Sequence, residues 1–138
     1  MTSNAERGAD VEQWVAAEYD VEHAPDETDW YDCIDRERGT KYEVKSCRRR
    51  VRRGAFRFVD GRFIVRERQL RSLVASDRAG TAWLVFVLRN RDDDVVDHRR
   101  VTPAVVAAVI DERGGWNDSG HEEYDREHKL PWTEVFDE

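Results

Sequence analysis

Lysine is scarce in this sequence. Only Lys41, Lys45 and Lys129 accompany 20 arginines, against 30 acidic residues. Two origins explain an acid-rich, lysine-poor chain. One is a salt-loving organism, whose proteins keep an acidic surface that holds water where salt screens charge. The other is a GC-rich genome, which favours arginine codons. Cysteine is also rare. Cys33 and Cys47 form no C-x-x-C pair, so a zinc site has little support. Buried free thiols are expected, with a bridge between neighbouring strands as the alternative, unusual for a cytosolic protein. No apolar run reaches the roughly 20 residues needed to span a bilayer, and residues 1–10 lack the apolar stretch of a signal peptide. Neither secretion nor membrane insertion is expected, and the location expected is cytoplasmic. Repeats and Gly/Ser linkers are missing. The four histidines show no ligand spacing, and His121 and His128, seven apart in an acidic tail, read as solvated surface.

The chain has 138 residues, which suits a single domain, residues 1–138. Five Trp, five Phe and four Tyr argue against disorder. The charge is unevenly spread. Between Lys45 and Arg71 stand eleven basic residues and two acidic ones, Asp60 and Glu67, so that segment carries +9 within a chain of net charge −7. The remainder carries −16. Such asymmetry suggests contact with a polyanion. The alternative is that these arginines pair with the surplus acids around them.

Apolar spacing predicts a helix over residues 9–20, with Trp14, Val15 and Ala17 on its apolar face. Residues 22–28, with Pro25 and several acids, read as a loop. Residues 30–35 and 41–47 read as strands of a hairpin, joined by a turn at residues 36–39 in which Gly39 is free to take positive φ. Residues 48–53 are too charged to be buried and read as a loop or protruding turn ending at Gly54. Residues 55–59 and 62–65 read as two short strands around Asp60-Gly61, a strong hairpin signal. Phe56 and Phe58 are expected in the core, with base-stacking platforms as the alternative. A helix is expected over residues 66–78. Residues 82–88, Ala-Trp-Leu-Val-Phe-Val-Leu, form a nearly continuous apolar run and predict a central strand covered on both faces. Residues 95–101 read as an edge strand, and Thr102-Pro103 caps a helix through Ile110. The tail from Trp116 lacks a regular pattern, with Leu130, Trp132 and Phe136 available to pin it. The fold expected is α/β, a sandwich with a mixed central sheet.

Chemistry concentrates in Trp30-Tyr31-Asp32-Cys33-Ile34-Asp35 and Lys41-Tyr42-Glu43-Val44-Lys45-Ser46. Alternate residues of a strand share a face, so Glu43 and Lys45 point one way while Tyr42 and Val44 point toward a core. The hairpin folds Asp32 back beside them. Two carboxylates and an ammonium then converge. Carboxylate oxygens suit a hard cation such as Mg²⁺, which lowers the pKa of a bound water and neutralises charge on a phosphate. A lysine can orient the attacking water or stabilise the anionic transition state. The backbone carbonyl at Val44 is placed to be a third ligand. The plain alternative is a surface strand whose Glu43 and Lys45 face solvent.

A helix, an Asp near a strand end, then a turn and Glu-Val-Lys resemble the PD-(D/E)XK nuclease superfamily. Within it, the likeness is to archaeal Holliday-junction resolvases and other small restriction-endonuclease-like proteins. It covers residues 8–88, and with the composition it points to a haloarchaeal source. The resemblance implies a restriction-endonuclease-like α/β/α sandwich with a core over about residues 8–90 and an extension over about 91–138. It implies that Asp32 and Glu43 hold Mg²⁺ or Mn²⁺ together with the Val44 carbonyl, and that Lys45 is the catalytic lysine. Gly8-Ala9-Asp10-Val11-Glu12 matches an early Gly-x-x-x-Glu helix whose Glu assists the metal site, which nominates Glu12, with Glu18 as its rival. A Gln on the next helix nominates Gln69. Tyr31 stands where the family has Pro, and Asp29 and Asp35 are rival acids to Asp32.

The activity implied is metal-dependent hydrolysis of DNA phosphodiester bonds, on duplex or branched (Holliday) junctions, by a homodimer. Val105, Val106, Val109, Trp116 and Trp132 could form its interface or simply cover the sheet. Arg48, Arg49, Arg50, Arg52, Arg53 and Arg57 would hold phosphates. Such contacts position nucleic acid without reading its sequence, and salt weakens binding through them by about 0.9 log units per contact for each log unit of salt. Two other functions compete: a catalytically inactive nucleic-acid-binding module of the same fold, and an interaction protein whose arginines meet an acidic partner.

Overall fold

A computed structural model of the chain describes residues 4–120 and 125–136, so His121 lies outside the described residues. In chain order the elements are α1 (Asn4–Glu18), β1 (Glu22–His23), β2 (Cys33–Asp35), β3 (Thr40–Arg48), β4 (Arg50–Arg52), β5 (Phe58–Asp60), β6 (Arg62–Arg66), α2 (Glu67–Ser76), β7 (Ala82–Arg89), β8 (Val95–Val101), α3 (Pro103–Glu112) and β9 (Glu127–Pro131), followed by a 3₁₀ turn, Trp132–Glu134.

The apolar run that begins at Ala82 organises the molecule. As β7 it is buried along its length except for half-buried Trp83. It pairs in parallel with β3 and antiparallel with β8, giving a five-stranded mixed sheet in the order β1-β2-β3-β7-β8. Its alternate residues feed two cores. Ala82, Leu84, Phe86 and Leu88 pack with Leu70 and Leu73 of α2, Val106 and Ile110 of α3, and Phe63, Leu130 and Trp132. Val85 and Val87 pack on the other face with Val11, Val15 and Ala16 of α1, beside Cys33 and Tyr42. Each fully buried Leu or Phe contributes about 1.5–3 kcal/mol, so helices on both faces are what this strand demands. The fold is the restriction-endonuclease-like α/β/α sandwich. Cys33 and Cys47 are buried free thiols in opposite cores, and burial pushes both up to about 12.

Local chemistry fixes the ends. Asp35 Oδ1 accepts from the amides of Glu37 and Arg38 at 3.1 and 3.3 Å, and Gly39 takes φ 72° to close the turn into β3. Thr102 caps α3 by accepting from Val105 N. The chain beyond residue 91 supplies β8, α3 and β9, which pairs with β6. Leu130, Trp132 and Phe136 are buried. Val106 and Trp132 are buried and Val109 and Trp116 pack on the same core, so these four cover the sheet, whereas Val105 is exposed.

Four expectations are corrected. Glu22 and His23 form a short edge strand on β2 rather than loop. Residues 50–52 are exposed, as their charge requires, but form strand β4, paired with β5, rather than an irregular loop or turn. An exposed two-stranded arm needs no buried side chains, so its charge is no obstacle. Asp60-Gly61 is therefore not a hairpin turn, because β5 pairs with β4 and β6 pairs with β9. Gly61 is there for close approach: a Cβ on it would lie 1.7 Å from the Arg48 carbonyl oxygen. Phe56 and Phe58 stand on that arm in solvent, not in the core. In addition, His128 is buried rather than solvated. Arg113 Nε donates to its Nε2 at 3.3 Å, and its Nδ1 meets the Gly115 carbonyl at 2.8 Å.

Candidate active site

The site forms where β2 parts from β3. Cys33 pairs with Tyr42, so the next residue outward, Asp32, faces Glu43. Asp32 N donates to the Tyr42 carbonyl at 2.9 Å, and its Oδ2 accepts from Val44 N at 2.8 Å. The Asp32 side chain thus takes the place of a strand partner. Amide and carbonyl of one strand residue point to the same side, so the Val44 carbonyl faces this opening too.

Glu43 is 4% exposed. Its Oε1 lies 3.6 Å from Lys45 Nζ, and its Oε2 is buried without a hydrogen-bond partner. Burial pushes this carboxyl well above the ordinary value of 4.5; Lys45 opposes the shift, while Asp32 and Glu12 reinforce it. A carboxylate oxygen held dry and unpartnered costs free energy unless a cation or donor meets it. Lys45 is held in turn. Its Nζ donates to Gln69 Oε1 at 2.9 Å, and Gln69 Nε2 donates to the Asp29 carbonyl at 2.7 Å. Gln69 therefore clamps the lysine between α2 and the loop entering β2.

Glu12 comes from α1 on the opposite face. It is half-buried, and burial followed by the Asp32 charge raises its carboxyl above 4.5. His23 Nε2 lies 2.9 Å from Glu12 Oε1 in a hydrogen bond. Among the described residues, no three Asp, Glu, His or Cys side chains already close on one cation-sized point. The rival acids stand elsewhere: Asp35 bonds its own turn, the Asp29 side chain is exposed, and Glu18 is exposed 3.8 Å from His98. His23 is the residue that sequence reasoning missed. Eleven positions separate it from Glu12, and only the pairing of His23 with Cys33 brings it to that carboxylate.

The predicted phosphate-binding arginines divide. Arg48 is turned inward, donating to Asp93 from Nε at 2.8 Å and Nη2 at 2.9 Å. Arg7 and Arg89 also reach Asp93, and these hydrogen bonds and charges, Arg48 first, hold its carboxyl down at about 2. Arg49, Arg50, Arg52, Arg53 and Arg57 are exposed on or beside the β4–β5 arm.

A mixed sheet clad by helices on both faces, with Asp, Glu and Lys gathered at a diverging strand edge, defines a restriction-endonuclease-like protein. The chain belongs to the PD-(D/E)XK nuclease superfamily: the family model for a PD-(D/E)XK nuclease superfamily domain matches residues 1–137. No curated protein matches it. Membership points to nuclease activity on nucleic acid with a divalent metal, the class of chemistry this carboxylate–lysine group suits. Among the described residues, no helix is long and apolar enough to cross a membrane.

Proposed function

We propose that this chain is a single-domain, Mg²⁺-dependent endodeoxyribonuclease that hydrolyses DNA phosphodiester bonds. The observation that carries the reading is Glu43 Oε2, buried without a partner beside Asp32 and Lys45. That oxygen fits a divalent cation, and Asp32, Glu43 and the Val44 carbonyl are the groups to hold it, with Glu12 joining if it exchanges His23. When bound, the ion acidifies a water and neutralises charge developing on the scissile phosphate. Lys45 donates toward the attacking water or the phosphate oxygens and stabilises negative charge in a site that excludes bulk water. Gln69 keeps the ammonium aimed there. The arm arginines hold the duplex to either side.

A non-catalytic module of the same fold is less well supported, because an apolar or amide side chain at position 43 would remove the burial cost for nothing lost. Symmetric cuts on a four-way junction would need two copies of the site, hence a dimer, which light scattering with and without DNA tests. A cytoplasmic setting is consistent with the two free thiols, and a saline one with the acidic remainder of the chain.

The test is incubation with plasmid and synthetic four-way junctions, with Mg²⁺ or Mn²⁺, at low and high salt. Cleavage by the wild type and none by Asp32→Ala or Glu43→Ala is expected. Undiminished cleavage by either variant overturns the assignment of the site.

A further inference from the structure

Phe56 is 98% exposed and Phe58 59%, in a molecule whose other phenylalanines, Phe63, Phe86 and Phe136, are buried. Their surroundings are cationic. Arg50, Arg52, Arg53 and Arg57 share the arm with one acid, Asp60. Arg50 lies 4.0 Å from Asp60 in the open, and Arg53 and Arg57 form no ion pair among the described residues.

The arm is built, not loose. At its tip Arg53 N donates to the Arg57 carbonyl at 2.8 Å, and Gly54 takes φ 80°. The Arg52 guanidinium donates to the Gly54 carbonyl at 3.1 Å and to the Ala55 carbonyl at 2.6 Å, fixing the loop that presents Phe56. At its base Arg49 N donates to the Arg89 carbonyl at 2.9 Å. The Arg49 carbonyl accepts from Gly61 N at 3.1 Å and Trp132 Nε1 at 2.9 Å. One end is tied to the sheet, and the other holds an aromatic ring out in water among arginines.

A ring beside cations matches one feature of nucleic acid: the π-face of a base next to its phosphates. Intact duplex hides those faces within its own stack. We infer that Phe56, backed by Phe58, stacks on an unpaired base while Arg50, Arg53 and Arg57 hold the flanking phosphates. The substrate class is then DNA with unstacked bases beside a duplex, as at a bulge, fork or branch. The inference rests on the nuclease reading for where cutting occurs. Lys45 and Phe56 are eleven residues apart, at most about 40 Å of chain. At about 3.4 Å per nucleotide, the stacked base lies within roughly twelve nucleotides of the scissile phosphate.

The test places 2-aminopurine, whose fluorescence falls on stacking, at the unpaired position of a bulged duplex and within a matched duplex, without divalent cation. Wild type and Phe56→Trp are expected to quench the bulged probe. Phe56→Ala should lose the quenching and bind that DNA about 5- to 100-fold more weakly, while matched-duplex affinity stays within about twofold and the melting temperature is unchanged, as for any open surface site. Equal binding of both DNAs by wild type and Phe56→Ala, without quenching, overturns the stacking role, as does binding of neither DNA; a protein partner is then the better occupant. The two readings fail separately. Cleavage in Mg²⁺ without Phe56-dependent stacking leaves the nuclease standing. Stacking by a protein that cuts no DNA leaves the arm standing and removes the nuclease.

Discussion

Glu43 and Phe56 stand thirteen positions apart and invert the usual rule in opposite directions. A carboxylate is 4% exposed, while a phenyl ring is 98% exposed. Acids are almost never fully buried unless paired, and large aromatics mostly lie inside. Each placement lowers stability, so each marks a position chosen for something other than stability. The two environments suit different work. Around Glu43, backbone and side chains fix every neighbour: Asp32 on Val44 N, and Lys45 on Gln69. Electrostatic chemistry gains most in such a dry, preorganised place. On the arm, arginines stay in water, where phosphates can reach them. The same strand feeds both, since β3 carries Glu43 and Lys45 and ends at Arg48, one residue before the arm begins.

Four predictions separate these regions. The largest concerns the buried one. Glu43→Ala or Asp32→Ala should lower the cleavage rate by about a thousandfold or more, the scale of losing a preorganised electrostatic group, yet leave DNA affinity within about threefold by anisotropy. A comparable fall in affinity would show that the two regions are not distinct. The next concerns their junction. Gly61→Ala drives a Cβ into the Arg48 carbonyl and should destabilise the fold by about 3 kcal/mol or more in urea unfolding, at the severe end for one substitution. Third, Arg53→Gln with Arg57→Gln should weaken DNA binding about 10- to 100-fold at low salt and reduce the slope of log affinity against log salt by about 1.8. An unchanged slope would remove these arginines from the interface.

The smallest effect is a gain. In the metal-free protein the Glu43 carboxyl keeps its proton to higher pH than in the unfolded chain, because burial raises it. Its contribution to stability is therefore complete below about pH 4.5 and is lost as pH rises through the folded value. Glu43→Gln has no such loss. The variant should be more stable than wild type above pH 4.5 by a margin that widens with pH, reaching about 1–3 kcal/mol. Mn²⁺ should narrow that margin by stabilising wild type alone. A margin independent of pH would mean that Glu43 is not held dry.

Local pattern carried much of this. Strand alternation put Glu43 and Lys45 on one face, the apolar run at residues 82–88 became the doubly covered β7, and Thr102-Pro103 began α3. What local pattern missed depended on distant contacts. Asp60-Gly61 has the chemistry of a turn, but Gly61 is small because Arg48, thirteen residues earlier, passes against it. Phe56 and Phe58 alternate like core residues, and although the charge of residues 48–53 marks that stretch as exposed, local pattern does not show that the exposure runs on through Phe58 in a two-stranded arm. His23 reaches Glu12 only through its pairing with β2. Among the acids, local pattern already favoured Asp32, since Asp35 stands at an odd separation from it along the strand and Asp29 in the entering loop. Backbone geometry separates them, since Asp35 serves its turn and the Asp32 carboxylate bonds Val44 N.

Anomalous diffraction from a crystal soaked in Mn²⁺ interrogates the buried site without relying on any substrate. A manganese peak between the Asp32 and Glu43 carboxylates and the Val44 carbonyl, absent from Glu43→Gln, is the expected result. Crystals saturated with Mn²⁺ that show no peak there, in a protein that still cuts DNA, would contradict it.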